Sequence, residues 1–217
     1  MLEPVQCPLC YVYQVNLIAD VNNRDYFECS VCQLVFLSPA QRPDPAAERA
    51  HYNTHENDPK DQRYRAFLNQ LAAPLIDRLP AHAQGLDYGS GPGPTLSVML
   101  REQGFDMEIY DPFFAPDITV LQQTYGFITC SETAEHFFMP AVEFGRLNQI
   151  LRPGGWLGIL TQMREPEHEF SAWHYIRDPT HVCFYNTDTM HWIAKHFGWI
   201  LHTPQKNVVL FQKPYEV

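Results

Sequence analysis

From residue 63 to residue 79 the apolar side chains fall at 64, 67, 68, 71, 75, 76 and 79, which is the spacing of one helix face, and Pro74 predicts a kink in it. Ahead of it, Asp44 predicts the cap of a short helix over Pro45–Tyr52, which polar turn formers between His51 and Pro59 then break. Further on the period changes repeatedly between strand and helix. Leu86–Tyr88 reads as the end of a strand, Thr95–Gln103 as a helix stopped at Gly104, Met107–Tyr110 and Phe127–Cys130 as strands. Ala141–Leu151 reads as a helix stopped by Pro153-Gly154-Gly155, Trp156–Thr161 as a strand, and Asp188–Phe197 as a helix ended by Gly198. Trp199–His202 and Val208–Gln212 close the chain as a hairpin. This alternation predicts an α/β fold, a mostly parallel sheet covered by helices on both faces, with the hairpin adding one antiparallel strand. The predicted division is a small cysteine-bearing head over 1–40, a linker and helical lid over 41–80, and the α/β domain over 81–217.

Composition narrows the class. A chain of 217 residues that is 45% hydrophobic supports one sizeable core and a small appendage. A net charge of −10 with no basic run argues against nucleic acid as a partner. No apolar stretch is long enough to span a membrane, and Met1–Cys10 lacks the charged-then-apolar pattern of a secretory signal, so the expected location is the cytoplasm. No signal for an oligomeric state is present.

Cys7-Pro8-Leu9-Cys10 and Cys29-Ser30-Val31-Cys32 are separated by 18 residues, the spacing of a four-thiolate zinc site. Strand formers in Tyr11–Ala19 and Tyr26–Phe27 lie between them, the pattern of a zinc ribbon, and metal binding would supply most of the folding free energy of so small a module. The glycine that often follows such a knuckle is absent, because Tyr11 and Gln33 stand there.

The strongest chemical signal is Gly85-Leu86-Asp87-Tyr88-Gly89-Ser90-Gly91-Pro92-Gly93. A glycine loop between strand and helix holds nucleotide-like ligands in α/β folds. This one has neither the glycine spacing of a dinucleotide loop nor the Lys and Ser/Thr of a P-loop. Asp87 would sit badly beside a pyrophosphate and suits an amine, while Asp111, at the end of the next strand, suits two ribose hydroxyls. Together they indicate a nucleoside with an amino-acid tail and no phosphates.

These residues resemble class I S-adenosylmethionine-dependent methyltransferases. Leu86–Gly93 is similar to their first motif, Phe127–Phe137 with its Glu135-His136 to their fourth-strand motif, and Leu151–Leu157 to the turn before their fifth strand. The cysteine-rich head is similar to zinc ribbons that precede some bacterial methyltransferases. The resemblance implies a Rossmann-like methyltransferase sheet, S-adenosylmethionine as cofactor and structural zinc on Cys7, Cys10, Cys29 and Cys32. It places Asp87 at the methionine amine, with Gly89, Ser90, Gly91 and Gly93 along the methionine. Asp111 would take the ribose hydroxyls, Pro112 and Phe113 would lie near the sugar or adenine, and Cys130 and Ser131 would approach the methionine or reaction face. The chain departs from the family after Asp111. Only 15 residues separate it from Phe127, where the family fits a helix, a strand and an acidic loop for the adenine amine. The third strand and its helix are therefore expected to be shortened or lost, and Asp117 is the candidate substitute for adenine recognition.

The expected reaction is methyl transfer to a small molecule. The alternatives are RNA or protein methylation with the ribbon as docking module, and a non-catalytic protein that kept the fold. Where the acceptor carries a proton, His136 and His181 are the candidate bases. His136, His174 and His181 with Glu132 form a possible second metal set, His51 and His55 a lid contact to cofactor, and Trp173, Tyr175, Phe184 and Tyr185 either an aromatic substrate wall or core.

Overall fold

The computed structural model describes residues 4–54, 57–165 and 169–215, and His55 lies outside them. Its head is built from β1 (Val15–Val21), β2 (Arg24–Cys29) and β3 (Val35–Leu37), paired antiparallel in that order. Tyr11 and Gln33 adopt φ of 60° and 59°, and each N–H donates at 3.0 Å to the carbonyl of the first cysteine of its pair. The knuckle turns therefore form without glycine, at the cost of placing two ordinary residues in the left-handed region.

Helix α1 (Pro45–Tyr52) is capped by Asp44, whose carboxylate accepts from the N–H groups of Ala46 and Ala47. Helix α2 (Gln62–Ile76) buries Leu68, Leu71, Ala72 and Leu75 and ends sooner than its apolar pattern suggests. Pro74 cannot donate to the carbonyl of Gln70, and the side-chain amide of Gln205 donates there instead.

The large sheet follows, with β4 (Gln84–Tyr88), α3 (Thr95–Glu102), β5 (Asp106–Tyr110), β6 (Tyr125–Ser131), α4 (Pro140–Ile150) and β7 (Leu151–Leu160). After the two-residue β8 (Cys183–Phe184) come α5 (Thr187–Phe197), β9 (Ile200–Gln205) and β10 (Val208–Gln212). The strand order is β5-β4-β6-β7-β10-β9, parallel through β7, with β10 antiparallel to both its neighbours. This is the expected Rossmann-like methyltransferase sheet. Between β5 and β6 the chain forms only an Asp111–Ala115 bridge and a 3-10 turn over Ile118–Gln122, so the third strand and its helix are absent there, as expected. Strand β7 starts earlier than predicted: Leu151 pairs with Tyr125, and Pro153-Gly154-Gly155 makes an irregularity inside the strand, with Gly154 at φ +77°.

Side-chain alternation splits the interior. Phe127, Leu160, Val208 and Leu210 meet α2 and α3, while Ile128, Leu157, Ile159, Val209 and Phe211 meet the other face. On that second face the head joins the domain. Val35 pairs with Phe184 and Phe36 with Cys183, making β8 the fourth strand of the head's sheet. No helix among the described residues is long and apolar enough to cross a membrane.

Tyr175, Phe184 and Tyr185 are core and do not wall the large cavity, while Trp173 is half-buried beside them. Phe184 is 1% exposed and its ring packs against Tyr26, Phe170, Trp173 and Tyr175. Phe184→Ala should cost about 3–5 kcal/mol. Because the ring sits in the head's sheet and packs both on Tyr26 of β2 and on Phe170 and Tyr175 of the segment after β7, urea denaturation followed by fluorescence and by circular dichroism should give one coincident transition at a lowered midpoint. A separate melting step for the head would contradict the shared core.

Candidate active site

A cavity of about 660 Å³ opens at the carboxyl ends of β4, β5 and β6, where open α/β sheets bind ligands. Tyr52 of α1, Asn57, and Tyr64 and Phe67 of α2 form its roof.

The glycine loop is its floor. Gly89 has φ +80°, and a Cβ there would sit 2.1 Å from the Thr133 side chain; at Gly93 a Cβ would sit 2.2 Å from the carbonyl oxygen of Asn57. Close packing by the protein itself thus requires both. The N–H groups of Gly89 and Ser90 donate to the carbonyl of Tyr110 at 2.8 and 3.1 Å, and that of Gly91 donates to Asp111 Oδ2 at 3.0 Å. Amides that would grip a phosphate are already engaged, so the loop fits a ligand without one.

Asp87 is 3% exposed and accepts from the hydroxyls of Ser97 and Thr129, each at 2.8 Å. Burial pushes its carboxyl up, against the pull of those two hydrogen bonds. Asp111 Oδ1 accepts from the N–H groups of Phe113 and Phe114 at 2.8 and 3.0 Å. The hydroxyls of Ser90 and Ser131 are buried without a hydrogen-bond partner, and both residues line the cavity. Orphaned hydroxyls beside two carboxylates suit the polar tail and sugar of a nucleoside bearing an amino acid. Gly89, Gly91, Gly93, Pro112 and Phe113 also line the cavity. Cys130 does not. It is fully buried in the core, because it is Thr129 that reaches Asp87 from β6, and burial pushes the Cys130 thiol up.

The two candidate bases meet at one wall, with ring centroids 4.9 Å apart. His136 Nδ1 lies 3.0 Å from the carbonyl oxygen of Thr180, and His181 Nδ1 lies 2.7 Å from that of Tyr175. A carbonyl only accepts, so Nδ1 carries the proton in each ring and Nε2 holds the lone pair when the ring is neutral. Burial lowers the pKa of His181 despite the nearby charge of Glu135. Asp178 Oδ2 lies 3.7 Å from His181 Nε2 and 3.0 Å from His51 Nε2. Burial opposes ionisation of Asp178, but the Thr180 hydrogen bonds and His181 outweigh it and hold its carboxyl well below the usual range.

Several expected constellations assemble differently. Glu135, rather than Glu132 or His174, joins His136 and His181, with ligand-type atoms within 4.8 Å of one another. Both Glu135 oxygens already accept hydroxyls, from Tyr175 and Thr161. His174 faces a different cavity, of about 400 Å³, beside Trp173. His51 pairs with Asp178 and does not line the main cavity. Asp117 is exposed and accepts from Thr119, capping the 3-10 turn. In the head, the sulfurs of Cys7, Cys10, Cys29 and Cys32 lie within 4.8 Å of one another, with Cys7–Cys32 at 3.5 Å and Cys10–Cys29 at 3.4 Å. Four zinc–sulfur bonds of about 2.3 Å in a tetrahedron separate the sulfurs by about 3.8 Å, so the cluster fits that ion.

Sequence reasoning missed Tyr52, Asn57, Tyr64, Glu143 and Arg146 as cavity-lining residues. Glu143 and Arg146 carried one signal, their i, i+3 spacing on a helix. Glu132, expected as a ligand in a histidine metal set, lines the cavity instead, at φ 48° with its N–H donating to the carbonyl of Leu160 at 2.7 Å. Burial, then the charge of Glu135, pushes the Glu132 carboxyl up to about 9. Below the unfolded-chain value of about 4.5 the group is protonated in both states. Above it only the unfolded chain releases the proton, so the group's contribution to stability declines as pH rises toward about 9. Urea denaturation between pH of about 5 and about 9 should show stability falling, with a shallower decline in Glu132→Gln; an equal slope in the two proteins would contradict the assignment.

Among solved structures, the 1,6-didemethyltoxoflavin-N1-methyltransferase of Burkholderia thailandensis, with bound 1,6-didemethyltoxoflavin and S-adenosylhomocysteine, superposes with a TM-score of 0.56. It is 16% identical, covering 93% of this chain and 99% of that one. An O-methyltransferase family protein from the same organism gives a TM-score of 0.52 at 17% identity, covering 73% of this chain and 62% of that one. At such identities the likeness is one of fold. The curated ubiquinone biosynthesis O-methyltransferase of Aeromonas salmonicida is 29% identical over 90 residues, 42% of this chain and 38% of that enzyme. The match thus spans less than two fifths of that relative's length. The methyltransferase domain family matches residues 52–203, well over half of the sequence, and the chain belongs to that family.

Proposed function

We propose that the protein transfers the methyl group of S-adenosylmethionine to a small molecule. The observation that carries this reading is the cavity at the strand ends, which brings the glycine loop, Asp87, Asp111 and the orphaned hydroxyls of Ser90 and Ser131 together under a roof. Six acidic side chains line it, those of Glu48, Asp87, Asp111, Glu132, Glu143 and Asp178, against the single guanidinium of Arg146 and no lysine, and acids still outnumber that cation with the Glu132 carboxyl held protonated. That balance favours a cationic cofactor and an acceptor that is not an anion.

The cofactor supplies an activated methyl group: the acceptor's lone pair forms the new bond to carbon as the sulfur–carbon bond breaks and its electrons return to sulfur. Methionine-side contacts fall to Asp87, Ser90 and Ser131 and the sugar to Asp111, with the roof excluding water. His181, which lines the cavity, takes the acceptor's proton on Nε2 where there is one, with Asp178 3.7 Å away to stabilise the imidazolium. His136 packs beside it as a second base or acceptor contact.

Calorimetric titration should show binding of S-adenosylhomocysteine, weakened at least about tenfold by Asp111→Ala or Asp87→Ala. His181→Ala should keep that affinity and slow turnover of a proton-bearing acceptor by roughly 10²-fold or more. No binding of either S-adenosylmethionine or S-adenosylhomocysteine would sink the reading.

The same proposal assigns zinc to Cys7, Cys10, Cys29 and Cys32, as a structural ion that closes the head. Metal analysis should find about one zinc per chain. Cys7→Ser should lose it and lower the melting temperature; full stability without zinc would refute the assignment.

A further inference from the structure

Between β5 and β6 there is no third strand and no acidic loop to meet an adenine amine, and Asp117 is turned to Thr119. The same cavity that Phe113 lines is lined also by Tyr88, Tyr110, Glu143 and Arg146. There a carboxylate is held in a fixed orientation. Glu143 Oε2 accepts from the Tyr88 hydroxyl and, at 2.8 Å, from Arg146 Nη1, which also lies 2.8 Å from the Tyr88 oxygen. Tyr88 is 4% exposed, its ring 5.2 Å from that of Tyr110, and the Glu143 side chain keeps 23% exposure. Burial, reinforced by Glu143, raises the Tyr88 hydroxyl and keeps it a donor.

Both donors sit on one oxygen, so among the described residues Oε1 is left for a further donor. An ionised carboxylate only accepts hydrogen bonds. It therefore pairs with an amino group and repels a carbonyl. Arg146 and Tyr88 fix the carboxylate in place, as supporting residues do for a recognition group. A plain i, i+3 ion pair on an exposed helix face would contribute little and would have no preference among ligands.

We propose that Glu143 recognises the exocyclic amine of the cofactor's purine, from α4 rather than from the segment after β5. The site selects a 6-aminopurine over a 6-oxopurine. This rests on the cofactor reading above, and the experiment separates the two. Wild type and Glu143→Gln are titrated with S-adenosylhomocysteine and with S-inosylhomocysteine, its 6-oxo analogue. Wild type should prefer the amino ligand by roughly tenfold or more, and Glu143→Gln, whose amide can turn a donor toward the carbonyl, should reduce the preference to under about threefold. An equal preference in both proteins, or none in wild type, overturns the proposal while leaving the cofactor reading intact. Absence of binding of either ligand to wild type overturns the cofactor reading and this proposal with it. Glu143→Asp keeps the charge but withdraws it by one methylene. With circular dichroism unchanged it should bind S-adenosylhomocysteine more weakly, and undiminished affinity would count against Glu143 even if the glutamine variant fails to fold.

Discussion

Both backbone groups of Val182 are committed to other parts of the molecule. Its N–H donates to the carbonyl of Glu135 at 2.9 Å, and its carbonyl accepts from the N–H of Leu37 at 2.9 Å. One residue thus ties the motif after β6 to the head, and His181 is its immediate neighbour. The pairing continues through Cys183 and Phe184 into β3, so the wall that carries His181 and Asp178 is an extension of the head's sheet. Further contacts reinforce the joint: Arg164 pairs with Glu28 at 2.6 Å, and Asn186 donates to the carbonyl of Gln33 at 3.2 Å. The head is therefore a buttress for the wall that carries His181 and Asp178, and its cysteines bear on the position of that wall.

This joint marks the boundary of what the sequence made legible. The alternation of strand and helix from Leu86 onward was readable because each element carries its own period, and both the glycine loop and the paired cysteines announce themselves by local spacing. A two-residue strand such as Cys183–Phe184 has no period to read, and its partners Val35 and Phe36 lie almost 150 residues away. The aromatic residues 173, 175, 184 and 185 were ambiguous for the same reason: whether a ring faces a ligand or another ring is settled by long-range packing, here against Tyr26 and Phe170. Tyr11 and Gln33 show the converse case. Local preference disfavours both in a knuckle turn, and the surrounding sheet and sulfur cluster impose the conformation regardless.

The site residues follow the same division. Positions set by strand ends, Asp87, Asp111 and Ser131, fell at the cavity because strand ends are what the local pattern defines. Cys130 and Ser131 are adjacent in sequence, yet only the second reaches the cavity, since neighbours in a strand point to opposite faces. Asp178 meets His181 within one turn of chain, at i and i+3, whereas Glu135 was invisible as its neighbour because the Val182 N–H that ties it in comes from almost 50 residues away. The brevity of the segment after Asp111, by contrast, was legible as a simple count, whereas the place of Glu143 and Arg146 of α4 at the cavity was not.

Access to the roofed part of the site is decided by how unevenly its boundary is held. The floor belongs to the sheet and is backed by apolar side chains on both faces. In the roof, α2 is anchored by four buried aliphatic residues, whereas the one buried residue of α1 is Glu48, whose carboxyl burial pushes up. What joins this part of the roof to the rest is a set of single polar and ring contacts: His51 to Asp178 at 3.0 Å, the Thr95 hydroxyl to the carbonyl of Asn57 at 3.2 Å, and the Tyr52 ring with its centroid 5.7 Å from that of Phe113 and 5.2 Å from that of His136. Such contacts contribute about 1 kcal/mol each in net terms, while each buried leucine of α2 contributes roughly 2 kcal/mol or more. Local opening follows the cheapest boundary, so the path into the cavity runs beneath α1 and past Asn57. That path crosses the glycine loop at Gly93, where the approach of Asn57 leaves no room for a side chain.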